Sequence, residues 1–321
     1  MLNLGIIGLG GWGRRIVEAV QGTSDKVRFH TAVVARPERS SAFAEEHGMA
    51  ITNDYASLLG NAAIQGIISC GPAPLHATHT IAALRAGKPV LAIKPMGQKA
   101  SDAKALEIAA NETGMLLALG YDRCFYPNVA EMRKRLKSGA LGRLLHAEGN
   151  FCVDRYGSIK PGSWKSDPAL VTAGSLADHM LYLMIETLGH VSEVHAMALD
   201  DISPNKLADS TAVLLRTAHN TTGMLTAIGV TPDFYRFQVF GTEGWMQIQN
   251  ADTLIFQPRE GEQEVLTLSG RPPLLEEVEA FADAITGARA FPVPLDDALH
   301  GIAVLDAMNR SVNEGKPIHI E

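Results

Sequence analysis

The residues best placed to do chemistry lie close to the amino terminus. Gly8-Leu9-Gly10-Gly11-Trp12-Gly13 has the spacing G-x-G-x-x-G. It directly follows the apolar run Leu4-Gly5-Ile6-Ile7 and opens a segment whose apolar residues Ile16, Val17 and Val20 recur at helical intervals. In a strand–turn–helix context these glycines permit a tight turn, close approach of backbone to a pyrophosphate, and close helix–strand packing. The helix start then offers N–H groups to the anion. Gly8, Gly10, Gly11, Trp12 and Gly13 are therefore candidate cofactor contacts. About twenty residues on, such a site usually carries an acid for the ribose 2′-hydroxyl. Ala35 stands there, followed by Arg36 in the stretch Val34-Ala35-Arg36-Pro37-Glu38-Arg39. A guanidinium suits a 2′-phosphate, and the missing carboxylate removes both a ribose contact and a repulsion. The pair favours NADP, with NAD the alternative; solvated arginines on a helix edge are the plainer reading of Arg36 and Arg39.

These residues need a scaffold, and the first 120 residues supply its rhythm. Apolar β-type runs at Leu4–Ile7, Phe29–Val34, Ile64–Ser69, Pro89–Ile93 and Leu116–Leu119 alternate with helical stretches, among them Pro37–His47, His76–Ala86 and Ser101–Thr113. That alternation predicts a doubly wound parallel sheet, an α/β Rossmann domain over residues 1–120. After Gly120 the pattern changes to consecutive extended runs, near 144–153, 194–198, 211–216, 223–229, 237–240 and 245–248. Helices are predicted at 128–137, 175–188, 275–286 and 296–313. Residues 121–321 thus read as an α+β domain with an open, mainly antiparallel sheet that binds substrate. Helices would cover one face of that sheet and leave the other for a second copy, so a homodimer or homotetramer through the C-terminal sheet is expected.

Composition sets the outer limits. The chain has 321 residues, 28 basic and 35 acidic, for a net charge of −7 with neutral histidines, which argues against a nucleic-acid partner bound through a broad basic face. The sequence shows no apolar run long enough for a membrane span, and Met1-Leu2-Asn3-Leu4 does not read as a signal peptide. Cys70, Cys124 and Cys152 are too few and too scattered for a disulfide framework, so a cytoplasmic location is expected. His30, His47, His219 and His300 show no metal-ligand spacing, and no metal is expected.

Several further segments carry a family resemblance. Cys70-Gly71-Pro72-Ala73-Pro74-Leu75-His76-Ala77, the stretch Ala83 to Met96 containing Ile93-Lys94-Pro95, and Leu141-Gly142, Asp209-Ser210-Thr211-Ala212, Gly241-Thr242-Glu243-Gly244 and Glu277-Val278-Glu279-Ala280-Phe281 resemble landmarks of the glucose-fructose oxidoreductase / inositol dehydrogenase / rhizopine-catabolism family, the Gfo/Idh/MocA oxidoreductases. The resemblance spans nearly the whole chain. It implies cofactor contacts from Cys70, Gly71, Pro72, His76 and Lys94, and a catalytic lysine at Lys94. It also implies an Asp-x-x-x-His pair, matched here by Asp178 and Tyr182. Ile93 replaces the family's glutamate before the lysine, and Tyr182 replaces the commoner histidine, a variant that glucose-fructose oxidoreductase and dimeric dihydrodiol dehydrogenases are similar in having. Arg123 matches a basic residue, and Trp164-Lys165 resembles a Trp-Arg pair before the catalytic helix.

The reaction so implied moves a hydride between nicotinamide and a secondary hydroxyl or ketone of a sugar, polyol or cyclic alcohol, and a proton must leave or reach the oxygen. Asp178 and Tyr182, four apart on a helix, share a face. One arrangement has Tyr182 relay the proton with Lys94 lowering its pKa; the other has neutral Lys94 as direct base, with Asp178 orienting the hydroxyl or the lysine. His179 could share the site or be a packed residue. Substrate contacts are expected from Lys94, Arg123, Trp164, Lys165, Asp178, His179 and Tyr182, with Asp154, Tyr156 and Tyr235 as either ligand contacts or surface residues. Two other readings of the family remain: an enzyme that recycles a tightly bound NAD(P) through oxidation, elimination or isomerisation, and reduction, and a non-catalytic ligand sensor or co-repressor.

Overall fold

The first apolar run becomes β1, Leu2–Ile7, whose last four residues are buried because helices cover both faces of its sheet. The computed structural model describes residues 1–167 and 174–320. Around β1 lie β2 (Val27–Val33), β3 (Ala50–Thr52), β4 (Gly66–Ser69), β5 (Val90–Ile93) and β6 (Leu117–Gly120), in the order β3-β2-β1-β4-β5-β6 with every neighbouring pair parallel. This is the doubly wound order in which the strand sequence reverses beside β1. Helix α1, Gly11–Val20, buries Ile16, Val17 and Val20 against the sheet, as their spacing predicts. Further helices are α2 (Ser41–Glu46), α3 (Tyr55–Gly60), α4 (His76–Arg85) and α5 (Ala100–Thr113). The single helix expected over Pro37–His47 is instead a one-turn 3₁₀ piece, Pro37–Arg39, followed by α2; Ser40 between them is outside the helical region at φ −133° and ψ 3°.

After α6 (Pro127–Lys137) come β7 (Leu144–Cys152), α7 (Gly174–Leu188), β8 (Val191–Leu199), β9 (Ser210–Thr217), β10 (Thr222–Ile228), β11 (Phe234–Gly241), β12 (Gly244–Gln249), β13 (Thr253–Pro258) and β14 (Glu264–Thr267). The chain then forms α8 (Pro273–Thr286), α9 (Leu295–Glu314) and β15 (Ile318–His319). The second sheet runs β14-β13-β12-β11-β7-β10-β9-β8-β15 and is antiparallel throughout except for the central β7–β10 pair. In β9 the pattern is a strict alternation: Thr211, Val213, Leu215 and Thr217 are buried while Ala212, Leu214 and Arg216 are exposed. On the covered face α7 comes so close to β7 that a Cβ at Gly149 would lie 2.8 Å from Met180 Cβ. Glycine is what allows this approach.

The described residues form two compact units, one of Met1–Gly97, Ser101–Phe125 and Arg271–Leu299, the other of Gln98–Ala100, Tyr126–Gly270 and His300–Glu321. Whereas the sequence reading divides the chain at 120/121, α8 packs with the first unit. Its Leu275, Val278, Phe281 and Ala282 join Leu4, Ile16, Val17 and Val20 in one buried cluster. Gly66 of β4 makes room for it, since a Cβ there would meet Ile285 Cδ1 at 2.8 Å. Ser24 Oγ donates to Glu279 Oε1 at 2.8 Å, and Lys26 pairs with Asp283 at 2.6 Å, tying the helix to the segment between α1 and β2.

Candidate active site

In the first unit the glycine turn has the shape its spacing predicts. Gly8 has φ +90°, and a Cβ there would lie 2.7 Å from the Cys70 carbonyl oxygen. A Cβ at Gly13 would lie 2.1 Å from the Gly8 carbonyl oxygen, so side chains are barred at both positions. Gly10 and Gly11, by contrast, face open space. No side chain caps α1 at Gly10 and no acid sits in its first turn, which leaves the helix start favourable to an anion. Backbone crowding behind the turn and free space before it fit a dinucleotide pyrophosphate. Trp12 is half-buried against the domain core. Ala35 and Arg36 are exposed. Arg14, which no motif marks, organises this corner: its Nε donates to Leu9 O at 3.2 Å and its Nη2 to Arg39 O at 3.3 Å. Its guanidinium also lies 4.6 Å from the Phe43 ring centroid. Only tertiary contacts mark it out.

Beside this corner two turns leave the carboxyl ends of β4 and β5. The first, Cys70-Gly71-Pro72, contains a buried thiol whose pKa burial pushes well above the ordinary value, with the Glu277 charge acting in the same direction. Burial thus disfavours the Cys70 thiolate. The second carries Lys94, half-buried and joined to Pro95 by a cis peptide bond. Its backbone N–H donates to Gly120 O at 3.1 Å. Ile93, where the family's glutamate is expected, packs against the domain core. His76 is 1% exposed, with Nδ1 2.8 Å from Pro95 O and Nε2 2.6 Å from Gly71 O. Burial lowers its pKa, opposed by the backbone contacts with Pro95, Gly71 and Ile93. Arg123 Nη1 is 3.2 Å from Asp122 Oδ1 in an almost buried ion pair. Nearby Glu277 is 1% exposed; burial first and the Asp122 charge second push its carboxyl well above the usual range, against a hydrogen bond with the Tyr121 backbone. The sequence marks Glu277 only as a family landmark, with no hint of this burial.

In the second unit α7 is apolar on most sides, with Leu176, Ala177, Met180, Leu181, Leu183, Met184 and Ile185 all buried. Asp178, completely buried, and Tyr182, 4% exposed, lie one turn apart on it. The Tyr182 ring rests on α9 at Gly301, where a Cβ would meet Tyr182 Cε1 at 2.3 Å. Burial, then the Asp178 carboxylate, push the phenol above its ordinary value of 10. The direction is opposite to the depressed pKa of the first relay arrangement, because a phenolate here would be both desolvated and beside a like charge. His179 turns elsewhere, its ring 4.4 Å from Phe151. Phe151 also meets Tyr235 edge-on at 6.1 Å. Tyr156 is buried against Gly229, and Asp154 is exposed. Trp164 is 38% exposed in a one-turn 3₁₀ piece, with Lys165 Nζ 5.6 Å from its ring centroid.

Residues 2–121 match the oxidoreductase family with an NAD-binding Rossmann fold, and residues 129–247 match the GFO/IDH/MocA C-terminal domain. The chain belongs to the Gfo/Idh/MocA oxidoreductases. This family member is 25% identical to inositol 2-dehydrogenase 1 of Saccharopolyspora erythraea over an alignment that covers 100% of this chain and 96% of that one. Its fold superposes on levoglucosan dehydrogenase in complex with NADH with a TM-score of 0.90 at 21% identity, covering 100% of this chain and 99% of the other. A 3-ketoreductase of Actinomadura kijaniata, in complex with TDP-benzene and NADP, gives 0.82 at 20% identity over 97% of this chain and 98% of its own. Like its family, the chain is an NAD-binding oxidoreductase. Among the described residues no helix is long and apolar enough to cross a membrane.

Proposed function

We propose that this oxidoreductase oxidises a secondary hydroxyl of a sugar, polyol or cyclic alcohol, or reduces the corresponding ketone, with NADP preferred over NAD. The observation that carries the reading is the placement of the Gly8–Gly13 cradle after β1 and Lys94 after β5, both at the carboxyl edge of one parallel sheet where such folds take their ligands. The full-length similarity to an inositol dehydrogenase supports the substrate class.

In this mechanism Gly8, Gly10, Gly11 and Gly13 hold the pyrophosphate, and Gly71 and Pro72 border the dinucleotide. When bound, the nicotinamide supplies the hydride acceptor or donor. Lys94 Nζ takes the hydroxyl proton as the C–H electron pair leaves carbon and the C–O bond becomes a carbonyl; in the reverse direction it returns that proton. Tyr182, held as a neutral phenol, donates a hydrogen bond to the substrate oxygen while Lys94 moves the proton. Asp178 orients it. Arg123, Trp164, Lys165 and His179 shape the surroundings of the substrate.

The test is a panel of inositols and sugars with each cofactor, followed through the absorbance of reduced nicotinamide. Net formation or loss of reduced cofactor is expected, whereas turnover without it would indicate the recycling reading, and binding with no turnover the sensor. In the same assay Arg36→Ala should lower the ratio of kcat/KM with NADP to that with NAD about tenfold, through loss of a phosphate contact. An unchanged ratio would remove Arg36 from cofactor choice.

The open face of the second sheet supports self-association as part of this reading. Leu214 is 59% and Met197 70% exposed on adjacent strands β9 and β8, an apolar surface that a second copy would cover. Leu214→Glu should halve the mass found by sedimentation equilibrium. A parent protein that sediments as a monomer would refute the assembly.

A further inference from the structure

We infer that His76 is a positioning residue for Lys94: its imidazole ties the turn after β4 to the turn after β5 and thereby sets where the Lys94 peptide stands beside the cofactor turn. The inference rests on the reading of Lys94 as the proton carrier.

The ring begins α4 and is fully enclosed. Its two nitrogens lie 2.8 Å from Pro95 O and 2.6 Å from Gly71 O. Both partners are backbone carbonyls, and they belong to the two turns that flank the ligand edge of the sheet. A neutral imidazole donates one of these bonds and an imidazolium both. Each ring nitrogen therefore faces a backbone carbonyl, and the neutral ring ties the two turns through the one bond it donates. What the ring can do is mechanical. Lys94 follows β5 directly, and its own N–H is held by Gly120 O at 3.1 Å on the β6 side. His76 holds the carbonyl of the following residue, Pro95 O, from the β4 side. The Lys94 backbone is thus clamped from both neighbouring strands, and a loosened clamp would shift Nζ. A displacement of about 1 Å of a reacting group costs on the order of 10²-fold in rate.

The experiment compares His76→Asn, His76→Gln and His76→Leu with the parent. An asparagine amide reaches approximately the Nδ1 position and can still hold Pro95; a glutamine amide reaches approximately the Nε2 position and can still hold Gly71. Four quantities are read: kcat; cofactor Kd from quenching of tryptophan fluorescence; thermal unfolding; and, in the cofactor-free protein, the rate at which an amine-reactive reagent labels Lys94, quantified by peptide mass spectrometry. His76→Leu should lower kcat roughly 30-fold with less than a threefold change in Kd, and should alter the Lys94 labelling rate at least threefold. His76→Asn should recover most of both, and more than His76→Gln. If His76→Leu does not fold, the order of Asn and Gln carries the test. A Kd that rises in step with the loss of kcat would make His76 a cofactor contact and overturn the inference. Losses equal in Asn and Gln, or a parental labelling rate in all folded variants, would reduce it to a structural residue. Should Lys94→Met instead retain activity while His76 still governs labelling, the proposed function fails and the clamp stands.

Discussion

Lys94→Met is expected to lower kcat about 10³-fold or more while the dinucleotide still binds within a few-fold of its parental affinity. A loss of that size corresponds to about 4 kcal/mol of transition-state stabilisation. Methionine keeps the length and flexibility of the side chain and removes only its proton-carrying and charged end. The glycine cradle after β1, which holds the pyrophosphate in our reading, is made of backbone and is untouched by the change. The two readouts should therefore separate: stopped turnover, intact quenching of tryptophan fluorescence by the nucleotide. Lys94→Arg should not rescue, because guanidinium keeps its proton throughout the working range. Activity of Lys94→Met within about threefold of the parent would show that another group moves the proton.

The parts of this site that are legible in the sequence are those encoded by local chain geometry. Gly8 and Gly13 announce themselves because only glycine tolerates φ +90° or a neighbouring carbonyl oxygen 2.1 Å from its Cβ position. The parallel order follows from short apolar strands alternating with helices. What the sequence leaves open is which surface meets which. The apolar stripe of α8 shows that the helix must be buried, yet nothing in its spacing says that Leu275, Val278 and Phe281 join the core of β1 and α1. Strands β3, β14 and β15, with three, four and two residues, are too short to hold a period. His76 and Arg14 are ambiguous for a related reason. Their partners are backbone oxygens that no sequence pattern points to, Pro95 and Gly71 for one and Leu9 and Arg39 for the other. The direction of the Tyr182 pKa depends on its burial, which a helical period alone does not give.

That direction decides what the phenol can contribute, and Tyr182→Phe is expected to lower kcat about 10²-fold, the cost of one hydrogen-bond donor at a developing charge. The ring sits against Gly301 with no room for a larger group, so phenylalanine fits the same space and the loss reports the hydroxyl alone. Burial and Asp178 hold the phenol above its ordinary value of 10. The protonated form is therefore favoured by folding, a contribution fully present below pH 10 and lost as the pH rises beyond it toward the folded value. Two consequences follow for measurement. In the parent, the profile of kcat between about pH 7 and 9 should carry no limb that disappears in Tyr182→Phe, since the phenol does not ionise there. In alkaline unfolding, Tyr182→Phe should lose part of the parent's steep fall in stability above about pH 10, because it has no phenol to ionise. A limb near neutral pH that vanishes with the hydroxyl would mean that a cation lowers the tyrosine in the working enzyme, and would restore the phenolate relay. Activity of Tyr182→Phe within twofold of the parent would remove the phenol from the chemistry and leave Lys94 and Asp178 to carry it.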